Sequence, residues 1–204
     1  MAHTYISGDL TEELKNKYLN SKYICIDTET MGLNIHRDKL CLVQISNEDG
    51  LLTLLRINSK NTPNLKEVFE NENSLKLFHF ARFDLAILKN YLGISVKNVY
   101  CTKIASKIAR TFTDKHSLKN LVSELLNVEL DKTAQTTDWG ASELTHKQLE
   151  YAASDVIYLI ALREKLEIML KRENREKLAH DAMKFLPTLI DLDINGWSEN
   201  IFSH

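Results

Sequence analysis

The stretch Tyr23-Ile24-Cys25-Ile26-Asp27-Thr28-Glu29 decides the architecture. Tyr23 to Thr28 is rich in Ile and Tyr and reads as a strand buried in a sheet. Its end carries two acids two positions apart. Side chains at i and i+2 of a strand leave the same face, so Asp27 and Glu29 point one way. Buried side by side they repel, and one is driven towards its protonated form. A divalent cation between them removes that conflict. The plain alternative is a pair of acids at a solvated strand end.

Outward from this strand, Leu40 to Ser46 and Leu51 to Leu55 read as two more strands joined at an Asp49-Gly50 turn, an antiparallel start to the sheet. Upstream, Asp9-Leu10-Thr11-Glu12 has capping-box spacing and predicts a helix through Leu19. Downstream, Pro63 suits the first turn of a helix with Leu65, Val68 and Phe69 on its apolar face. Leu75 to Phe80 is the next strand, Phe83 to Leu92 a helix stopped by Gly93, and Asn98 to Cys101 a short strand. Helices follow over Lys103 to Thr111 and Leu118 to Leu126, the second capped by Ser117. Lys132 to Ser142 reads as a loop holding Trp139. The capping box Thr145 to Gln148 opens a long helix to Arg172, and a last helix runs from Asn174 to Phe185, ended by Pro187. The expectation is an α/β fold with helices packed on a mixed central sheet, one domain over residues 1–187 and a tail over 188–204. Leu189, Ile194, Trp197 and Phe202 on that tail read either as subunit-interface anchors or as a segment folded back on its own domain.

At 204 residues, 44% hydrophobic and with only 6 Gly and 2 Pro, the chain can order and bury its own core. No apolar run approaches the roughly 20 residues that span a bilayer. Met1 to Asp9 lack a basic patch followed by an apolar stretch, so the expectation is a cytoplasmic protein without membrane association. Cys25, Cys41 and Cys101 sit among apolar neighbours without Cys-x-x-Cys spacing and read as buried free thiols. The net charge of −2 argues against a holder of long duplexes, which usually carries a clear basic excess.

Two other stretches carry acids that need explaining. In His79-Phe80-Ala81-Arg82-Phe83-Asp84, Asp84 opens a helix, where the helix dipole alone would favour it. His79 ends a strand and either leans over a site or is a satisfied core histidine. In Tyr151-Ala152-Ala153-Ser154-Asp155-Val156, Tyr151 and Asp155 are four apart and stack on one helix face beside apolar surface. An amphipathic helix with a boundary Tyr and Asp is the plain reading. Together, four acids from separate elements point to one cage for two hard divalent cations, Mg²⁺ or Mn²⁺. Such a pair, about 4 Å apart, supports in-line displacement at phosphorus. No Cys/His zinc spacing, Walker loop or Gly-x-Ser-x-Gly elbow supports another chemistry.

These motifs resemble the three exonuclease motifs of the DEDD 3′–5′ exonucleases. Asp27-x-Glu29 matches the first, His79 with Asp84 the second, and Tyr151-x-x-x-Asp155 the third. Tyrosine four before the last aspartate is similar to the tyrosine subgroup; the position five before it, histidine in the other subgroup, is Glu150. Tyr151 to Leu159 is particularly similar to ribonuclease D, although this chain has no room for that family's added helical RNA-binding domains. Asp27 to Leu33, Cys101 to Lys107 and Phe185-Leu186-Pro187 are most similar to the compact nano-RNase C group. The resemblance implies a ribonuclease H-like exonuclease fold and an enzyme that clears very short single-stranded RNAs, dinucleotides above all. It also implies assembly into a ring of identical subunits, eight in number. Asp27, Glu29, Asp84 and Asp155 would hold the metals, and Tyr151 would orient or deprotonate the attacking water.

Candidate substrate contacts are Thr28, Leu33, His79, Lys103, Lys107, Arg110 and Trp139, with His116 a lesser one. Leu33 lies four after Glu29, where the related enzymes place an apolar wedge between bases; its alternative is plain core. Lys103, Lys107 and Arg110 follow helical spacing and could grip a phosphate. Their alternative is a solvated helix face. A fixed cation such as Arg110, or one from a neighbouring subunit, against a 5′ phosphate would measure substrate length. DNA instead of RNA remains open, because the discriminating contact is to a 2′ hydroxyl. A silent nucleic-acid-binding module and a structural oligomer are the readings without catalysis.

Overall fold

The computed structural model describes residues 2–130, 137–197 and 201. Its strands are β1 (Thr4–Ser7), β2 (Tyr23–Thr30), β3 (Leu40–Asn47), β4 (Leu52–Arg56), β5 (Leu75–Phe78) and β6 (Val99–Cys101). They form one sheet in the order β1-β4-β3-β2-β5-β6. The two pairs around β3 are antiparallel, as the hairpin reading required, and β1–β4, β2–β5 and β5–β6 are parallel. The sheet is therefore mixed.

The helices are α1 (Glu12–Leu19), α2 (Pro63–Glu70), α3 (Ala81–Leu92), α4 (Thr102–Ala109), α5 (Leu118–Leu126), α6 (His146–Ile157), α7 (Leu159–Arg172), α8 (Glu176–Lys184) and α9 (Leu186–Ile194). Helix α6 lies against β2, β3 and β4. Its face buries Tyr151 and Ala152 with Cys41, Leu42, Leu54 and Trp139. A larger core joins the remaining helices to the sheet. The three cysteines are buried and free.

Four local expectations change. Strand β1 went unread because it is an edge strand whose residues are almost all exposed, which leaves no apolar alternation. Asp9 does not cap α1; Thr11 does, accepting from Leu14 N. The Asp9 carboxylate instead accepts from the backbone of Asn64 and Leu65 at 2.8 and 2.9 Å, and so serves the start of α2. The expected long helix from Thr145 breaks at Tyr158 into α6 and α7. The Ser46 hydroxyl donates to the Val156 carbonyl at 3.4 Å just before the break. Helix α8 closes at Lys184 as expected, but Pro187 then sits in the first turn of a further helix, α9, where its fixed φ and missing N–H cost nothing. Helix α9 packs on α3 and buries Leu186 and Ile190. The segment expected as a tail thus begins as a docked helix. Phe202 and the loop positions 132–136 lie outside the described residues.

Candidate active site

The C-terminal end of strand β2 lies against α6 and is hydrogen-bonded to the first turn of α3. Asp27 and Glu29 project towards α6, and their carboxylates lie with that of Asp155 so that ligand oxygens of all three are within 4.8 Å of one another. Thr28, on the opposite face, donates its hydroxyl to Asp84 Oδ1 at 2.6 Å. The strand pairs regularly with β3 up to Glu29, and the register then shifts between Glu29 and Thr30. Such an irregularity releases a strand from its partner and re-aims its end. The turn beyond it holds Gly32, where a Cβ would collide with the Asp38 carboxylate.

Asp84 and Asp155 are buried, at 4% and 5% exposure. Burial drives Asp84 up to about 7, against the help of the Thr28 hydroxyl, and the neighbouring charge of Asp155 adds to the rise. Burial, then the charge of Asp155, raises Tyr151 far above a phenol's ordinary value. Its hydroxyl is hydrogen-bonded to Asp155, which makes it a donor to that carboxylate. Gln44 Nε2 donates to Glu29 Oε1 at 3.3 Å from the facing strand. Four acids gathered against so little compensating positive charge constitute an unfavourable field. An all-oxygen donor set of this kind fits Mg²⁺ or Mn²⁺.

These groups open on a cleft of about 730 Å³. Asp27, Thr28, Glu29, Leu33, His79, Asp84, Lys103, Trp139, Tyr151 and Asp155 all line it. Leu33 is 84% exposed, so the core alternative for it is gone. His79 Nδ1 meets Thr102 Oγ1 at 2.9 Å, and the Thr102 hydroxyl donates its own hydrogen bond to Phe78 O at 3.2 Å. The Thr102 oxygen is therefore the acceptor, which puts the histidine proton on Nδ1. Trp139 is buried beneath the site with its ring 6.1 Å from that of Tyr151. Its loop is held by Arg56, which donates to the carbonyls of Trp139 and Ala141 at 2.8 and 2.7 Å.

Lys107 and Arg110 are not among the lining residues. Helix α4 ends at Ala109, so Arg110 falls off the face its spacing suggested. Its guanidinium is buried, ion-paired with Glu124 and donating to Lys115 O at 3.0 Å. That charge is committed to joining α4 and α5. Lys107 is exposed on α4, and His116 is bonded to Ser106 at 2.8 Å. The sequence reading missed Met31, Phe83, Ser117, Leu118 and Thr137, which also line the cleft, as does Phe80 beside His79. No periodicity flags such residues, because they are brought there by turns and helix starts.

Residues 4–171 match the family model described as 3′-5′ exonuclease. Among curated relatives, DNA polymerase I of Aquifex aeolicus is 36% identical over 221 residues, covering 98% of this chain and 37% of that one. Ribonuclease D of Sphingobium indicum is 36% identical over 160 residues, covering 76% of this chain and 40% of that one. The chain thus spans about 40% or less of the length of these two relatives. Among solved structures, Brucella melitensis NrnC bound to pGG superposes with a TM-score of 0.94 at 46% identity, covering 100% of this chain and 99% of that one. The same enzyme with bound Mg²⁺ gives 0.93 at 45%, with both chains fully covered. Ribonuclease D of Escherichia coli, at 24% identity and a TM-score of 0.82, shares the fold. On the family match and these likenesses, this chain belongs to the 3′–5′ exonuclease family, within the ribonuclease D superfamily and with the ribonuclease H-like fold.

Proposed function

We propose that this protein is a metal-dependent exoribonuclease that removes 3′ nucleotides from very short RNAs, dinucleotides above all, releasing nucleoside 5′-monophosphates. The observation that carries this reading is the acidic cleft and its limited volume. Its volume of about 730 Å³ lies in the range of roughly 300–1,000 Å³ usual for small-ligand sites. A track for a long strand would need an extended basic groove, whereas this chain carries a net charge of −2. The likeness to an NrnC structure bound to pGG supports the same substrate class.

Two divalent cations, Mg²⁺ or Mn²⁺, would lower the pKa of the attacking water and stabilise the departing 3′ oxygen when bound. Asp27, Glu29 and Asp155 would hold them from one side of β2, and Asp84 from the other. Thr28 keeps the Asp84 carboxylate turned towards the cleft. Tyr151, kept protonated by burial and by Asp155, orients the water by hydrogen bonding. Leu33 and His79 face the substrate from the rim. In this reading the enzyme acts in the cytoplasm as a ring of identical subunits, eight of them, with Trp197 an anchor between copies.

A digest of end-labelled RNA and DNA from two to about twenty nucleotides, with Mg²⁺, with Mn²⁺ and with chelator, tests the reading. Rapid loss of RNA dinucleotides, slower loss of longer strands and silence in chelator are expected. Preferential trimming of DNA would instead favour a proofreading or repair exonuclease, a possibility raised by the similarity to DNA polymerase I. No cleavage and no Mn²⁺ binding in calorimetry would leave only a silent binding module.

A further inference from the structure

Phe80 joins β5 to α3 with φ 67 and ψ 47, in the left-handed region. Among the described residues, the other non-glycine residues with positive φ are Asn98, Asn127 and Asn174, a type that bears this conformation easily. A phenylalanine does not. The residue makes no side-chain cap to α3 and is 48% exposed. The ring instead forms part of the cleft wall, together with Glu29, Asp84 and Lys103. The Lys103 ammonium lies over that ring, 4.1 Å from its centroid. Backbone strain held at the wall of a site, with a half-exposed aromatic as its product, marks a surface kept for a ligand.

We propose that Phe80 is the stacking platform for one nucleobase of the substrate, and that Lys103, held over it, neutralises the phosphate beside that base. The inference rests on the oligonucleotide reading above and names the surface that reads the nucleotide. An aromatic face accepts any base, so the contact gives affinity with little base preference. The cation–π contact keeps the ammonium within the cleft while the site is unliganded. Its flexible four-carbon stem lets it slide off the ring as a base arrives and follow the neighbouring phosphate. The αL turn matters because it is what presents the ring to the cleft instead of to the core under α3.

The test is steady-state cleavage of pGG in Mg²⁺ by the full chain, comparing wild type with Phe80→Gly, Phe80→Leu, Phe80→Trp and Lys103→Gln. Glycine adopts positive φ without strain, so Phe80→Gly should melt no lower than wild type and separates lost contact from lost fold. Its KM should rise about tenfold, the scale of one base stack, with kcat changed less than about twofold. Trp should restore the wild-type KM and Leu should not. Lys103→Gln should raise KM and flatten its dependence on salt. Replacing either base of the dinucleotide by an abasic residue supplies the decisive cycle. Removing the stacked base and removing Phe80 should cost no more together than either alone. Fully additive losses at both positions, or a wild-type KM in Phe80→Gly or Phe80→Leu, would overturn the assignment. Failure of the wild type to cut pGG at all would count instead against the proposed function.

Discussion

The hydroxyl of Thr28 donates to Asp84 Oδ1 at 2.6 Å, tying β2 to the first turn of α3 across 56 positions of sequence. This bond connects the strand that supplies Asp27 and Glu29 to the helix that supplies the fourth acid. It also opposes the burial that pushes Asp84 up to about 7. Thr28→Val preserves shape and removes the donor, leaving a buried carboxylate short of one hydrogen bond, a change of about 1–3 kcal/mol. Weaker Mn²⁺ binding by about tenfold or more in calorimetry, with a near-native far-UV spectrum, is the expected outcome.

The raised Asp84 makes the protein's response to cations depend on pH. A carboxyl that titrates near 7 when folded and near 3.8 otherwise binds more protons in the folded state between those values. On this group's account, stability in chelator therefore falls as pH rises from about 4 to about 7. Cations bind the ionised form, so the gain in melting temperature from added Mn²⁺ should grow over the same window. Asp84→Asn should flatten both trends in thermal melts. A gain independent of pH in the wild type would contradict the link.

Asp27 and Asp155 belong to the tight carboxylate cluster, whereas Asp84 stands across the strand. Asp27→Asn and Asp155→Asn should each lower turnover of a short RNA by more than about 100-fold, the upper end of what outer-shell changes cost at metal sites. Both should fold, because each relieves carboxylate repulsion instead of opening a cavity. Either mutant retaining near wild-type turnover in Mg²⁺ would remove the metal assignment.

Arg110 bridges α4 to Glu124 of α5 and to the Lys115 carbonyl. Arg110→Ala should therefore lower stability by about 1–3 kcal/mol through lost hydrogen bonds. Its activity losses on a dinucleotide and on a seven-mer should be equal, since the side chain holds helices together away from the cleft. A selective loss on the dinucleotide would restore the length-measuring role that its sequence position suggested.

Helix α9 is latched to α3 by a two-pronged Arg82–Asp193 ion pair at 2.5 and 2.6 Å, and by Lys89 with Asp191. Truncation after Phe185 would remove the buried side chains of Leu186 and Ile190, about 1.5–3 kcal/mol each. A lowered melting temperature is expected, so truncation by itself does not isolate an assembly role. Trp197, 59% exposed beyond the helix, allows a cleaner probe. Trp197→Ala should leave the melting temperature of α9 and its domain unchanged and shift light scattering towards smaller species. An unchanged assembly would place the subunit contact elsewhere.

The acids, their pairing by spacing and most of the strands and helices around them are readable along the chain. Asp27 with Glu29 and Tyr151 with Asp155 were legible because a strand repeats every two residues and a helix stacks residues four apart. Which side of β2 each acid occupies emerges with the packing of α3 and α6. The tertiary structure placed Arg110 inside the protein and Leu33 outside, and it made Phe80 part of the cleft wall. Those outcomes depend on where helices end, how a strand shifts register and which distant carbonyl a side chain finds, as Asp9 finds the start of α2. Local periodicity holds no record of such long-range choices, because they are fixed by packing free energy summed over the whole chain.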